Sequence, residues 1–192
     1  MPRASAIVLW VMQALSLNNR KALLELARKA LETYLETGDH LTLPADPAEF
    51  HLKRGCFITL RKAGALRGCV GTFDSSHALG DHVIRMAIAS GFQDRRFPPL
   101  TKQELAHVRI EISVLGELQR VEGLEEIKIG RDGIYVKLGE RSGTFLPEVA
   151  VELNWSVAEF VAYCAREKAG LTPAECSRAE IYRYEIEKFK ED

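Results

Sequence analysis

The stretch LRGCVGTF, Leu66–Phe73, sets one thiol, Cys69, between Gly68 and Gly71, with Arg67 two residues upstream. An ionised cysteine sulfur is a nucleophile, and a guanidinium is a two-pronged donor to a carboxylate or phosphate. Glycine inside a strand loses packing and costs entropy, so it marks a bulge, a bend, or a close approach of backbone or ligand. The stretch is therefore an architectural corner or a site. As a regular strand it places Arg67, Cys69, Gly71 and Phe73 on one face and Leu66, Gly68, Val70 and Thr72 on the other. Thiol and guanidinium are then about 7 Å apart along the strand. With Ala63-Gly64 at the centre of a hairpin turn, Cys69 faces Ile58 and lies diagonal to Cys56, unless the register slips by one residue. Nucleophilic chemistry would also need a base, and His77 and His82 follow most closely, with His51 and His107 further off. Against these uses stands the habit of free cysteine to pack as a small buried hydrophobe.

Two further stretches carry unusual residues. In QDRRFPPL, Asp94, Arg95 and Arg96 precede Phe97-Pro98-Pro99, a stiff, aromatic-anchored loop that presents its charges at a fixed angle. Residue types alone make it a connector with a local Asp–Arg pair, whereas a functional use would set Arg96 on a carboxylate or phosphate. TFLPEV, Thr144–Val149, reads as a strand end followed by a proline-started helix. The chain contains no phosphate-binding loop, dinucleotide loop, HExxH, GxSxG or iron–sulfur cysteine cluster, which removes the commonest NTPase, dehydrogenase, metalloprotease and radical-enzyme readings. Cys56, Cys69, Cys164 and Cys176 show no C-x-x-C spacing and no histidine pair at zinc-ligand intervals. No metal site, cofactor or disulfide is expected, and a cytoplasmic setting fits best.

The elements that must position these residues follow from periodicity. With 26 Lys plus Arg against 27 Asp plus Glu, the net charge of −1 sets up no field for nucleic acid or an anionic membrane. The opening MPRASAIVLWVMQALSL superficially resembles a secretory leader, but Gln13 interrupts the apolar run and no small-residue cleavage site follows. Residues 1–17 are read as an N-terminal extension, and no segment is long enough to span a membrane. Leu23, Leu24, Ala27, Leu31, Tyr34 and Leu35 predict a helix over 19–37, closed by Gly38. A connector with Pro44 and Pro47 leads to the hairpin CFITLRK and ALRGCVGTF. A helix capped by Ser75 or Ser76 follows and ends at Gly91, and the capping box Thr101-x-x-Glu104 opens a short one. A half-buried strand is expected at RIEISVL, where Ile110, Ile112 and Val114 alternate with polar neighbours, and further strands at Ile127–Ile129 and Ile134–Leu138 around an Asp132-Gly133 turn and at TFL after GERSG. Ser156-x-x-Glu159 starts a helix through Lys168, ended by Gly170, and AEIYRYEIEKF closes the chain as one strand with Tyr182 and Tyr184 on one face. The order predicts an α+β fold, a mostly antiparallel sheet with flanking helices.

LRGCVGTF, then DRRFPPL, EISVL and TFLPEV in that order resemble the AMMECR family, whose prokaryotic members are called AmmeMemoRadiSam system protein A. The resemblance spans about Asn19 to Tyr184, so residues 18–192 are taken as a single AMMECR-type domain. Val70 stands where isoleucine is common, and Arg95 where a proline is usual. The resemblance implies larger and smaller lobes with the LRGC segment near a cleft between them, and an association with a Memo-type protein and a radical S-adenosylmethionine enzyme. It implies no settled activity. The expected role is an accessory or binding component whose cleft, with Arg67, Gly68, Gly71, Asp94 and Arg96, holds a small anionic ligand or a partner peptide. The alternative is an enzyme using Cys69 as nucleophile or redox thiol, and a third reading makes LRGC a motif that seats the hairpin.

Overall fold

Leu23, Leu26, Ala27, Ala30 and Leu31 recur at helical spacing and are the buried stripe of helix α1, Leu17–Thr37, in a computed structural model that describes residues 14–192. Of the N-terminal extension expected over residues 1–17, residues 1–13, with the apolar run, lie outside the described residues. The Ser16 hydroxyl accepts the Asn19 N–H at 3.2 Å to open α1, and Gly38, at φ 78°, closes it in the left-handed conformation. After the connector, strands β1 (Cys56–Lys62) and β2 (Ala65–Thr72) form the expected hairpin. Helix α2 spans Leu79–Phe92, one residue beyond the glycine expected to end it. Its start differs from expectation: Ser76 gives its N–H to Asp74 and its hydroxyl pairs with His77 Nδ1 at 2.8 Å, so the N-terminal position falls to Ala78, which has no side-chain cap.

Helix α3 (Lys102–Leu105), with its capping box intact, and strand β3 (Val108–Leu115) come next as expected, except that β3 is buried on both faces from Ile110 to Leu115 rather than on one, because its polar positions Glu111 and Ser113 are covered as well. Beyond the short strand β4 (Gln119–Arg120), the strand expected at Ile127–Ile129 is absent. Its backbone donors are taken locally: Ile127 N–H donates to the Leu124 carbonyl at 3.1 Å, and buried Asp132 accepts from Lys128 N–H at 2.7 Å. With those N–H groups spent, the segment curls as turns instead of pairing. Strands β5 (Gly133–Leu138) and β6 (Arg141–Phe145) pair next, β6 starting within the stretch read as a turn. Helix α4 (Pro147–Glu152) starts on its proline. Helix α5 (Val157–Tyr163), with its capping box, runs on through a π-type turn at Cys164–Lys168 toward Gly170 at φ 64°. A short helix α6 covers Pro173–Cys176.

The C-terminal segment is two strands, not one. β7 (Glu180–Tyr184) lies between β4 and β5, and β8 (Ile186–Lys190) pairs with β3. Glu185 is the pivot, and its carbonyl accepts the Gly116 N–H at 2.8 Å. The result is two four-stranded antiparallel sheets, ordered β2-β1-β3-β8 and β4-β7-β5-β6, with α1 and α2 packed on the first. Each sheet has its own core, one around Leu31, Ile58, Ile88 and Ile110, the other around Ile134, Val136, Phe160 and Leu171. Among the described residues no helix is long and apolar enough to cross a membrane.

Two glycine-related positions decide how the hairpin sits. A Cβ on Gly68 would stand 2.1 Å from the Ser90 carbonyl oxygen, so β2 crosses the end of α2 where only a missing side chain fits. Conversely, the hairpin turn needs positive φ at both central residues and has Ala63 at 48° beside Gly64 at 81°. Gly68→Ala is expected to destabilise by about 3 kcal/mol or more, since backbone blocks the new methyl. Ala63→Asn is expected to stabilise by about 0.5 to 1 kcal/mol, because asparagine enters the left-handed region at lower cost. Urea unfolding midpoints of the two variants check both.

Candidate functional site

The register of the hairpin places Cys69. Lys62 pairs with Ala65 and Arg61 with Leu66, but Leu60 then faces Gly68, so Arg67 is the extra residue of a bulge. Cys69 consequently faces Thr59, not Ile58, and the Thr59 hydroxyl donates to its sulfur at 3.3 Å. The bulge also separates the two thiols: Cys56 is fully buried among the residues packed under α1 and α2, on the face of β1 opposite Thr59. Burial pushes the Cys56 thiol up to about 12, and that of Cys164 likewise, whereas Cys69 is only partly buried.

β2 is an edge strand, and the outward backbone groups of Cys69 are met by side chains of the QDRRFPPL loop. The Asp94 carboxylate accepts the Cys69 N–H at 2.9 Å, and Arg96 Nη2 donates to the Cys69 carbonyl at 3.1 Å. Asp94 and Arg96 also clasp each other, through Nε at 2.9 Å and Nη2 at 2.7 Å. Phe97 N–H donates to the Asp94 carbonyl at 3.0 Å, so Arg95 occupies the second position of a β-turn, which proline favours but most residues accept. On the inner side, the buried Ser90 hydroxyl accepts the Val70 N–H at 3.0 Å and donates to the Ile58 carbonyl at 2.7 Å. Gly71 lies under the Phe57 ring, whose atoms would be 2.3 Å from an added Cβ.

Arg67 points inward. Its guanidinium donates to Glu104 at 3.2 and 3.0 Å and to the Pro98 carbonyl at 2.9 Å, and its Cζ lies 5.9 Å from the Phe97 ring centroid. It is 7% exposed, and Nη1 is buried without a hydrogen-bond partner among the described residues. Arg96, more than half exposed, lies 5.6 Å over the same ring. Neither His77 nor His82 reaches the thiol: His77 bonds Asp74 at 3.0 Å, and His82 is buried beneath it.

Residues that sequence reading missed extend the polar surface around Cys69. On β3, Glu111 faces Thr59 and is 6% exposed, and neighbouring Ser113 is 2% exposed. Burial alone would push the Glu111 carboxyl up, but Arg61 and Lys188 hold it below its ordinary value. Lys188 bridges Glu111 at 3.2 Å to Glu148 of the TFLPEV stretch at 2.7 Å, beside an open cavity of about 600 Å³ that Arg131, Pro147 and Ile186 also border. Alternation in RIEISVL put Glu111 opposite its isoleucines, which was the available signal. Nothing local announced Lys188 or Glu148 as its neighbours.

Charge pairing holds two carboxyls near the hairpin at about 2: Asp94 through Arg96 and the Cys69 N–H, Glu104 through Arg67 and Lys62. A depressed folded-state value stabilises above the unfolded value of about 3.9, and the contribution fades as pH falls from there toward 2. Asp94→Asn is therefore expected to cost on the order of 2 kcal/mol at neutral pH and little at pH about 2. Urea midpoints of wild type and variant, measured as the pH is lowered, should converge.

The sequence model of a family described as AMMECR1 matches residues 24–189. Among curated proteins the chain is similar to Protein PH0010 of Pyrococcus horikoshii, 39% identical over 184 residues and covering 88% of each. It is also similar to Protein MJ0810 of Methanocaldococcus jannaschii, 37% identical over 190 residues and covering 94% of each. A crystal structure of PH0010, described there as an uncharacterised protein, superposes with a TM-score of 0.84 at 37% identity, over 90% of this chain and 91% of that one. The match runs through the hairpin, the Asp94–Arg96 loop and both sheets, and the chain belongs to the AMMECR1 family.

Proposed function

We propose that this chain is a cytoplasmic accessory or binding component that works with a Memo-type protein and a radical S-adenosylmethionine enzyme. In this reading the surface around Cys69, in a cleft between larger and smaller lobes, receives a small anionic ligand or an acceptor-rich partner peptide. The observation that carries it is the geometry of Arg96. Its Nε and Nη2 are committed to Asp94 and the Cys69 carbonyl, while Nη1 makes no hydrogen bond among the described residues and the side chain is 56% exposed. One edge of a rigidly held guanidinium is thus free to bind a carboxylate, phosphate or carbonyl beside the thiol. Arg67, already paired with Glu104, supports the loop that aims Arg96 and leaves the ligand contact to it. Gly71, whose missing side chain leaves room for the Phe57 ring, seats the strand beside Cys69.

A second reading, with Cys69 as nucleophile or redox thiol, draws on its partial exposure, in contrast to buried Cys56 and Cys164. It has less support, because the sulfur's hydrogen-bond partner among the described residues is the Thr59 hydroxyl, not a base.

Purified full-length protein should bind a Memo-type or radical S-adenosylmethionine protein from the same source in biolayer interferometry. Arg96→Ala is expected to weaken that binding about tenfold or more, as loss of a charge-assisted hydrogen bond does. Cys69→Ser should leave it within about twofold. Absence of binding to either partner, or indifference to Arg96→Ala, would sink the proposal. In the native protein, alkylation followed by mass spectrometry should modify Cys69 while Cys56 and Cys164 react only on unfolding. If Cys69→Ser abolishes a measured turnover, the second reading takes its place.

A further inference from the structure

Immediately after Phe73 the chain turns through Asp74–Ala78 before entering α2, and that turn gathers three side chains that take no part in the surface around Cys69. Asp74 Oδ1 accepts the Ser76 N–H at 2.7 Å, and Oδ2 lies 3.0 Å from His77 Nδ1. His82, in the first turns of α2, comes up beneath them: the two imidazole centroids are 5.8 Å apart and their planes cross at 76°. One potential ligand atom from each of Asp74, His77 and His82 falls within 4.8 Å of the others.

His82 itself is 1% exposed, and neither Nδ1 nor Nε2 has a hydrogen-bond partner among the described residues. A buried neutral imidazole carries one N–H donor and one acceptor nitrogen, and buried polar atoms are ordinarily paired. Apolar packing would serve this position better with a leucine. An imidazole without a protein partner, set against a carboxylate and a second imidazole, is what a metal ligand looks like before its ion is counted.

The donor set fixes the class of ion. Two imidazole nitrogens and one carboxylate oxygen suit zinc and neighbouring divalent first-row ions, with bonds of about 2.0 to 2.2 Å and a fourth position left to water. The Asp74–His77 separation is already close to the spacing of two ligands on one tetrahedral ion, and both side chains are exposed enough to adjust toward buried His82. The Ser76 N–H holds the other oxygen of Asp74, the kind of contact that orients a ligating carboxylate. Only the Ser76 hydroxyl, 2.8 Å from His77 Nδ1, would have to turn away.

We propose that Asp74, His77 and His82 form a site for a divalent zinc-type ion, with His82 as its buried anchor and one coordination position open to water or a small ligand. The ion would pin the connection between β2 and α2. This site is independent of the proposed ligand contact at Arg96.

Full-length protein stripped with a chelator and titrated with cobalt(II) is the test, with zinc titration calorimetry in parallel. One equivalent should bind with visible bands of a nitrogen and oxygen site. Asp74→Asn and His77→Ala remove exposed groups and should fold normally. Each is expected to weaken binding more than about 100-fold, beyond the 10- to 100-fold typical of losing a group that only orients a ligand. These two variants decide the matter if His82→Ala fails to fold, and His51→Ala, an exposed histidine elsewhere, should leave affinity unchanged. The proposal is overturned if wild type binds no stoichiometric ion or if His77→Ala binds as wild type does. Intense sulfur-to-cobalt absorption lost in Cys69→Ser would likewise overturn it, by moving the ion to the thiol.

Discussion

An antiparallel edge strand leaves an N–H and a C=O facing outward at every second residue, and at Cys69 this pair is met by the carboxylate of Asp94 and the guanidinium of Arg96. Two side chains thus stand where a neighbouring strand would. Much of the surrounding structure serves that contact. The Asp94–Phe97 turn sets the two side chains at the right height, Pro98 and Pro99 stiffen the chain beyond it, and Arg67 fastens the loop to Glu104 and the Pro98 carbonyl. On the inner side Gly68 lets the strand lie directly on the end of α2, where Ser90 bridges both strands of the hairpin. The segment around the thiol is therefore gripped from its edge and from one face, while its other face stays available.

That available face belongs to a sheet surface with an unusual composition. Thr59, Glu111 and Ser113 are buried although they point away from the helices, and Glu111 is kept ionised by Arg61 and Lys188 despite its burial. Aromatic rings carry the contact toward the second sheet: Phe73 touches Phe57 at 5.7 Å, Tyr135 at 4.9 Å and Tyr184 at 5.0 Å. Buried charge is costly and aromatic packing is not, so the rings secure the two sheets while Arg61 and Lys188 compensate the one carboxylate of the polar row.

Much of this was legible in residue order. Capping boxes at Thr101 and Ser156, glycine stops at Gly38 and Gly170, and the alternation of RIEISVL depend on neighbours a few residues away, and each is in place. The departures involve contacts that local patterns do not encode. The bulge at Arg67 arises from a guanidinium seeking Glu104, thirty-seven residues on, and it moved Cys69 from Ile58 to Thr59. The break at Glu185 arises because two different sheets claim the two halves of a run that alternates without interruption. The Asp74, His77 and His82 cluster spans a turn and the start of a helix, so no helical or strand interval marks it.

The same break has a consequence for assembly. β7 is an inner strand of the second sheet and β8 an edge of the first, so neither sheet is complete until residues 180–190 have docked. The buried Glu187 carboxylate then accepts the Leu15 N–H, closing a contact between groups 172 residues apart. Hairpins and helices can form early from local contacts, yet β3 and β5 stay unpaired on one side until β8 and β7 reach them. A single eleven-residue segment, residues 180–190, thus completes both sheets, so the two cores stand or fall together rather than as separate units.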